Sequence, residues 1–447
     1  MMTTPRMYMH DTTFNTSIGE KKTMRKRILL KGPLLTRSGY GEQTRFALRA
    51  LMSRPDLFEI FIQPLQWGQT SWLSETDEER LWIDQVIEKT IGYVQQGGSF
   101  DLSLQVTIPN EWQNIAPINI GYTAGIETTQ VAPQWIEIGN QIQKIVVVSN
   151  HSKNVYESTE YGQNPEDVPN DAQTPPEKIL RLTTPVTTVN YPVKKYETIE
   201  NLELDLECDF NFLVVAQMGP RKNLLHTIKW FVEEFKDEEV GLVVKTNKMK
   251  NCVLDREHVF QEIKNFTQQL GDRKCKVYLL HGDMTDEEIH ALYVDPKLNA
   301  FVTLTHGEGF GLPIFEAAYS GMPIVSTGWS GQLDFLVDEN RKEHFYNISF
   351  DIQPIPPEVA WEGVITKESM WAYPREQSAK EQMRQCYEDI VSNAEGSIAS
   401  NVEHYRELLQ ENFSEERMYA EFVAAIIDEE EFNVESWIEG LDVQEIE

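Results

Sequence analysis

The sequence predicts an α/β protein built from two parallel-sheet units. Short apolar runs alternate with helical stretches from residue 27 onward, and this rhythm pauses near 191–209 and then starts again. The 447 residues also exceed what one hydrophobic core spans.

In the first half, RILLK (27–31), EIFIQP (59–64), DLSLQV (101–106), INIGYT (118–123), KIVVVSN (144–150) and PVTTVN (185–190) read as strands. GEQTRFALRALM (41–52) and DEERLWIDQVIEKTIGYVQQ (77–96) read as helices between them. Pro, Asn and Asp crowd residues 160–178, which read as a surface loop. In the second half, FNFLVVAQM (210–218), VGLVVKTN (240–247), KVYLLHG (276–282), AFVTLT (300–305) and PIVSTG (323–328) are the strands. The helices are 223–235, 255–271 closed by glycine, and one from 285 that opens with a Thr285/Glu288 capping box. Residues 351–375 look irregular, and NFSEERMYAEFVAAIID (412–428) is a last amphipathic helix.

The organisation expected is an N-terminal extension over 1–26, domains over 27–200 and 201–411, a C-terminal helix over 412–428 that packs back on the first domain, and an acidic tail over 429–447. Met24 offers an alternative natural start. Residues 428–447 hold nine acids and no base, and the tail reads as a solvated terminus.

Composition narrows the class. Forty per cent hydrophobic residues and ten tryptophans describe a globular chain. No apolar run reaches the roughly 18–20 residues of a membrane span, and the first residues lack the apolar core of a signal peptide. A cytoplasmic location is the expectation. Cys208, Cys252, Cys275 and Cys386 are widely spaced and form no CxxC pair, so neither a zinc site nor a disulfide scaffold is indicated. A net charge of −31 disfavours a nucleic-acid partner, since such affinity rests on cationic contacts, although a local basic face would escape that average. The short basic run KKTMRKR (21–27) suits a flexible tail better than a membrane contact.

Parallel α/β sheets bind ligands beyond the carboxyl ends of their strands, so the loops there hold the candidate chemistry. In GPLLTRSGYGEQTR (32–45), Gly39 and Gly41 let backbone approach a ligand at a helix start, without the spacing of a dinucleotide fingerprint. In GPRKN (219–223), Arg221 and Lys222 fall at a helix N-terminus, where cations make sense beside an anion. Lys245 ends the next strand on the same edge and would complete a pocket for a diphosphate. THGEGFGLPIFEAAYSGMPIV (305–325) sets Glu308 in a glycine turn and Glu316 in the first turn of the helix that follows. A carboxylate there suits the helix dipole, so Glu316 has a structural explanation that Glu308 lacks. Ionised carboxylates accept hydrogen bonds from hydroxyls, and beside the cations of a neighbouring loop they describe a nucleotide-sugar site.

Glu308 and Glu316, with seven residues between them in HGEGFGLPIFEA, resemble the E-x7-E motif of the retaining group-1 (family 4) glycosyltransferases. SGYGEQTRFALRAL, GYTAGIETTQVAPQWIEIGNQIQKIVVVSNHSKNVY (121–156), MGPRKN and MWAYP (370–374) are similar to further stretches of such enzymes, and the resemblance covers roughly 27–425. It implies a GT-B fold: two Rossmann-like domains with parallel sheets facing across a cleft. It assigns Arg221 and Lys222 to the donor diphosphate, Glu316 to the ribose hydroxyls and Glu308 to the hexose. Gly309, Phe310, Gly311 and Leu312 would lie along sugar and phosphate. His281, Gly282 and Asp283 would border the base, and Gly39, Tyr40 and Gly41 would close over the diphosphate. Where many relatives carry an arginine, this chain has Gln217 and Met218, and Arg221 is the candidate replacement.

The implied reaction is hexose transfer with retention from UDP-glucose, UDP-N-acetylglucosamine or GDP-mannose. No metal or cofactor is expected, because no Asp-x-Asp stands at a strand end. The leaving diphosphate would take the acceptor's proton in a same-face attack. His306 is a candidate base or a structural hydrogen-bonder, and Glu127 in GIETT a candidate for acceptor contact. The acceptor, a glycan, lipid, protein or nucleobase, is not specified by these residues, nor is an oligomeric state. The rivals are a GT-B-fold epimerase or phosphorylase and a non-catalytic nucleotide-sugar-binding protein.

Overall fold

A computed structural model of the chain describes residues 25–68, 70–73, 76–162, 179–196 and 202–427. The extension up to residue 24, most of the 160–178 loop, residues 197–201 at the expected domain boundary, and the acidic tail lie outside the described residues.

The first half runs β1 (Lys26–Gly32), α1 (Gly39–Met52), β2 (Phe58–Pro64), α2 (Glu78–Gln95), β3 (Leu102–Val106), β4 (Ile118–Thr123), α3 (Pro133–Gly139), β5 (Lys144–Val147), α4 (Asn150–Ser158), β6 (Glu160–Tyr161), β7 (Leu180–Arg181) and β8 (Val186–Thr188). Six strands form one sheet in the order β2-β1-β3-β4-β5-β8, each neighbouring pair parallel, with Leu30 between Ile62 and Leu104. KIVVVSN stops being strand at Val147, because Ser149 turns to cap α4 and its Oγ accepts from the Ser152 amide.

The second half runs β9 (Phe210–Val215), α5 (Leu224–Glu234), β10 (Val240–Lys245), α6 (Val253–Gln268), β11 (Lys276–Leu280), α7 (Asp286–Val294), β12 (Ala300–Thr303), α8 (Leu312–Tyr319), β13 (Ile324–Thr327), α9 (Leu333–Leu336), β14 (Tyr346–Ile348), β15 (Phe350–Pro354), β16 (Met370–Pro374), α10 (Glu376–Ser392), α11 (Val402–Asn412) and α12 (Glu415–Ile426). Its sheet, β11-β10-β9-β12-β13-β14, is again parallel throughout. The Thr285/Glu288 capping box is formed at α7.

Two corrections concern the second half. Residues 351–375 are not wholly irregular: β15 and β16 pair antiparallel, Phe350 opposite Pro374. The arm they carry reaches the first half, where Met370 N donates to Thr129 Oγ1 (3.0 Å) and Trp135 Nε1 donates to the Gly363 carbonyl (3.0 Å). Glu316 is the fifth residue of α8 rather than part of its first turn, because the helix begins only after Gly311, held left-handed at φ 98°.

α12 returns to the first half. Phe422 packs against Phe46 of α1 (ring centroids 5.3 Å) and Tyr122 of β4 (5.1 Å), and Lys144 Nζ donates to the Ile427 carbonyl (2.9 Å). One apolar core joins Ile28, Leu30 and Tyr122 of the first sheet to Phe310, Phe315 and Phe301 of the second half, while another lies between the second sheet and α5 and α10. All four cysteines are free.

Candidate active site

The loop after β9 passes through a 3-10 turn, Pro220–Lys222, and enters α5 at Asn223, whose left-handed backbone (φ 52°) an asparagine tolerates. This turn aims Arg221 and Lys222 at the loop between β12 and α8. Lys222 Nζ donates to both oxygens of Glu308, at 2.6 and 2.8 Å. Arg221 Nη1 donates to Glu308 Oε2 (2.9 Å) and to the Gly307 carbonyl (2.5 Å). Thr305 Oγ1 donates to the other carboxylate oxygen (2.8 Å), and the Glu308 amide donates to Ser330 Oγ (2.8 Å). Glu308 is only 5% exposed. Burial alone would raise its pKa, but Arg221 and Lys222 outweigh that and hold it at about 2.

A fourth charge comes from the other half. Glu127, in the loop after β4, lies 2.8 Å from Arg221 Nε. Burial moves its pKa upward against the pull of Arg221. Burial and the adjacent Arg221 lower the pKa of Lys222, while Glu127 and Glu308 carry that of Arg221 upward against its burial. The glycines explain how the halves come so close. A Cβ on Gly307 would stand 2.4 Å from the Glu127 carbonyl oxygen, and one on Gly309 would stand 2.0 Å from that of Ala124. Part of the glycine turn is therefore spent on contact between the two halves.

His306 is tied into the same loop. Its amide donates to the Arg221 carbonyl (2.8 Å), and Nδ1 lies 2.7 Å from the Ala372 carbonyl, the geometry of an Nδ1–H donor. The ring stacks on Trp371, and burial lowers its pKa, so it is neutral near pH 7.

Glu316 lies elsewhere. It accepts from Tyr293 Oη (3.1 Å) and lines a small cavity with Glu42, Arg49, Tyr191, Lys194 and Tyr319. Lys194 bridges Glu42 of α1 (2.9 Å) and Asp286 of α7 (2.8 Å). Burial is the main cause that brings the Glu316 carboxyl up to about 7, with Lys194 opposing it.

A third group borders α6 and α7. Lys245 Nζ donates to the Gly282 carbonyl (2.6 Å), so its recorded partner is this loop and not the Arg221 turn. His281 Nε2 lies 3.0 Å from Asp255, and Asp283 accepts from Asn251 Nδ2 (2.5 Å). Arg37 Nη1 donates to the Met284 carbonyl (2.8 Å), joining this loop to the first half.

At the start of α1, Gly39 is exposed and Gly41 N donates to Ser38 Oγ. Tyr40 is buried in its own half: its hydroxyl lies 2.7 Å from Thr123 Oγ1 and accepts from Gly125 N (3.1 Å). The Phe310 ring packs on Tyr191 and Phe335 in the core, and Leu312 opens α8. Sequence reasoning missed Lys194, Tyr293, Thr305 and Ser330. Ser330 has φ 83°, a conformation no motif announces, and Lys194 sits in a polar linker with nothing to mark it. Among the described residues no three His, Cys, Asp or Glu side chains are grouped to hold a metal ion, and no helix is long and apolar enough to cross a membrane.

This architecture recurs in solved structures at low identity. Sucrose-phosphate synthase from Thermosynechococcus elongatus aligns with a TM-score of 0.54 and 13% identity over 88% of this chain and 96% of that one. Anabaena HepE, solved with UDP and glucose, aligns at 0.52 with 12% identity over 89% and 98%. The chain spans 55% of the length of Staphylococcus aureus TarM, with 73% of this chain aligned, 15% identity and a TM-score of 0.42. The two Rossmann-like domains with parallel sheets define a GT-B fold. Within it, residues 203–348 match the family model of Glycosyl transferases group 1, a span that carries Arg221, Lys222, Lys245, His281, Glu308 and Glu316. No curated protein matches the chain in sequence.

Proposed function

We propose that the protein is a retaining glycosyltransferase that moves a hexose from a nucleotide sugar to a hydroxyl acceptor without a metal. The observation that carries this reading is the meeting of Arg221, Lys222 and Glu308 within 2.9 Å at the contact between the domains. Two cations on one loop suit a diphosphate, and a buried carboxylate beside them suits sugar hydroxyls. The match of 203–348 to group 1 glycosyltransferases supports the same assignment. UDP-glucose and UDP-N-acetylglucosamine are the first donors to test, since HepE holds UDP and glucose in this fold, and GDP-mannose is the next.

In this mechanism Arg221 and Lys222 stabilise charge as it develops on the departing diphosphate. Glu308 holds hexose hydroxyls and so orients the anomeric carbon. The diphosphate oxygen accepts the acceptor's proton on the face it leaves, so no protein nucleophile is needed. Glu316 receives the ribose hydroxyls, and Lys245 with the 281–283 loop borders the base.

A thermal-shift panel of nucleotides and nucleotide sugars identifies the donor, because ligand at 100-fold over its Kd stabilises the fold by about 2.7 kcal/mol. With that donor, K222A is expected to lose about 10²–10³-fold in donor hydrolysis or transfer, and E308A a similar factor. Turnover untouched by both substitutions would sink the assignment.

A further inference from the structure

The four charges at the domain contact sum to zero, so Arg221 and Lys222 already have carboxylate partners. The two carboxylates are held very differently. Glu308 is buried and receives Arg221, Lys222 and Thr305, with its backbone fixed by Ser330 and Gly331. Glu127 belongs to the other domain, is partly exposed, and has Arg221 as its ion-pair partner. Its loop is pinned just beyond it, where Thr129 N donates to the Met370 carbonyl (3.2 Å). The side chain can therefore leave Arg221 by a rotamer change while the loop stays in place.

We propose that Glu127 holds at Arg221 the position a donor phosphate takes, so that donor binding is an exchange of one anion for another across the domain contact. This rests on the nucleotide-sugar reading above. Glu127 and phosphate are alternative partners for the same guanidinium, which hydrogen-bonds in the plane of its fork. The Glu127 residue also lines a small cavity with Thr128, Gln130, Val364 and Trp371. Once displaced, the carboxylate turns to that side and is available to an acceptor hydroxyl. Donor then binds before acceptor, because the donor releases the group that the acceptor meets.

Isothermal titration of wild type, E127Q, R221Q and the double variant with UDP, GDP and inorganic pyrophosphate tests the exchange. E127Q is expected to bind the cognate nucleotide and pyrophosphate about tenfold more tightly than wild type, and the gain is expected to vanish when Arg221 is also replaced. E127A, which removes the amide as well, is expected to move the same way, and circular dichroism checks that each variant is folded. Equal or weaker binding by folded E127Q overturns the exchange. Pyrophosphate binding that tightens in E127Q without any nucleotide binding keeps the exchange and overturns the nucleotide-sugar reading. No binding of any probe to wild type or E127Q overturns both.

Discussion

Glu308 and Glu316 are neighbours in the motif and opposites in chemistry. Both are desolvated, but Glu308 has two cations in contact and ionises near 2, whereas burial outweighs Lys194 at Glu316 and leaves it at about 7. An acid whose folded pKa is raised contributes stability below its unfolded pKa and loses it as pH rises through the folded value. Glu316 therefore weakens the fold progressively between about pH 4.5 and 7. E316Q, which mimics the protonated acid, is expected to match wild type at pH 4 and to be more stable at pH 8 by on the order of 2 kcal/mol, read from denaturant unfolding at the two values. A gain equal at both values would contradict this. The two acids were legible in the sequence as a pair. Their separation was not, because Tyr293, Lys194 and Asp286 reach Glu316 from three different segments.

At the level of elements, the loop between β12 and α8 illustrates how a signature can be read correctly and explained incompletely. The glycines of GEGFG announce close backbone approach, but not what approaches. Gly309 meets the Ala124 carbonyl of the other domain. G309A is expected to hold the domains apart: a larger radius of gyration by X-ray scattering, at least tenfold slower turnover, and a cost of about 1–3 kcal/mol. An unchanged radius of gyration and rate would mean that the contact has no role in closure. The strands of both sheets were largely legible, since a short apolar run between turns is a local signal. β15 and β16 were not, because prolines crowd DIQPIPP, MWAYP is an unbroken apolar run that ends in proline, and the pairing joins segments separated by the whole arm. β14 has three residues, too few for any period to register.

Across the whole molecule, the two domains are bound by more than the candidate site. The arm carried by β15 and β16 crosses to the loop after β4, Arg37 reaches back to Met284, and α12 completes the core against α1. Phe422 is fully buried between Phe46 and Tyr122, so F422A is expected to cost about 3–5 kcal/mol and to lower the melting temperature of the first domain as well as the second. Loss confined to the second domain, seen by domain-resolved hydrogen exchange, would show that α12 is an appendage.

The return of α12 also sets a timetable for synthesis. The aromatic cluster around Phe46 and Tyr122 is encoded early and its lid late. At roughly 5–20 residues per second, the nascent first domain spends on the order of tens of seconds on the ribosome with that face uncovered. The chain must therefore survive its own translation with an exposed apolar surface, a window in which chaperone capture competes with aggregation.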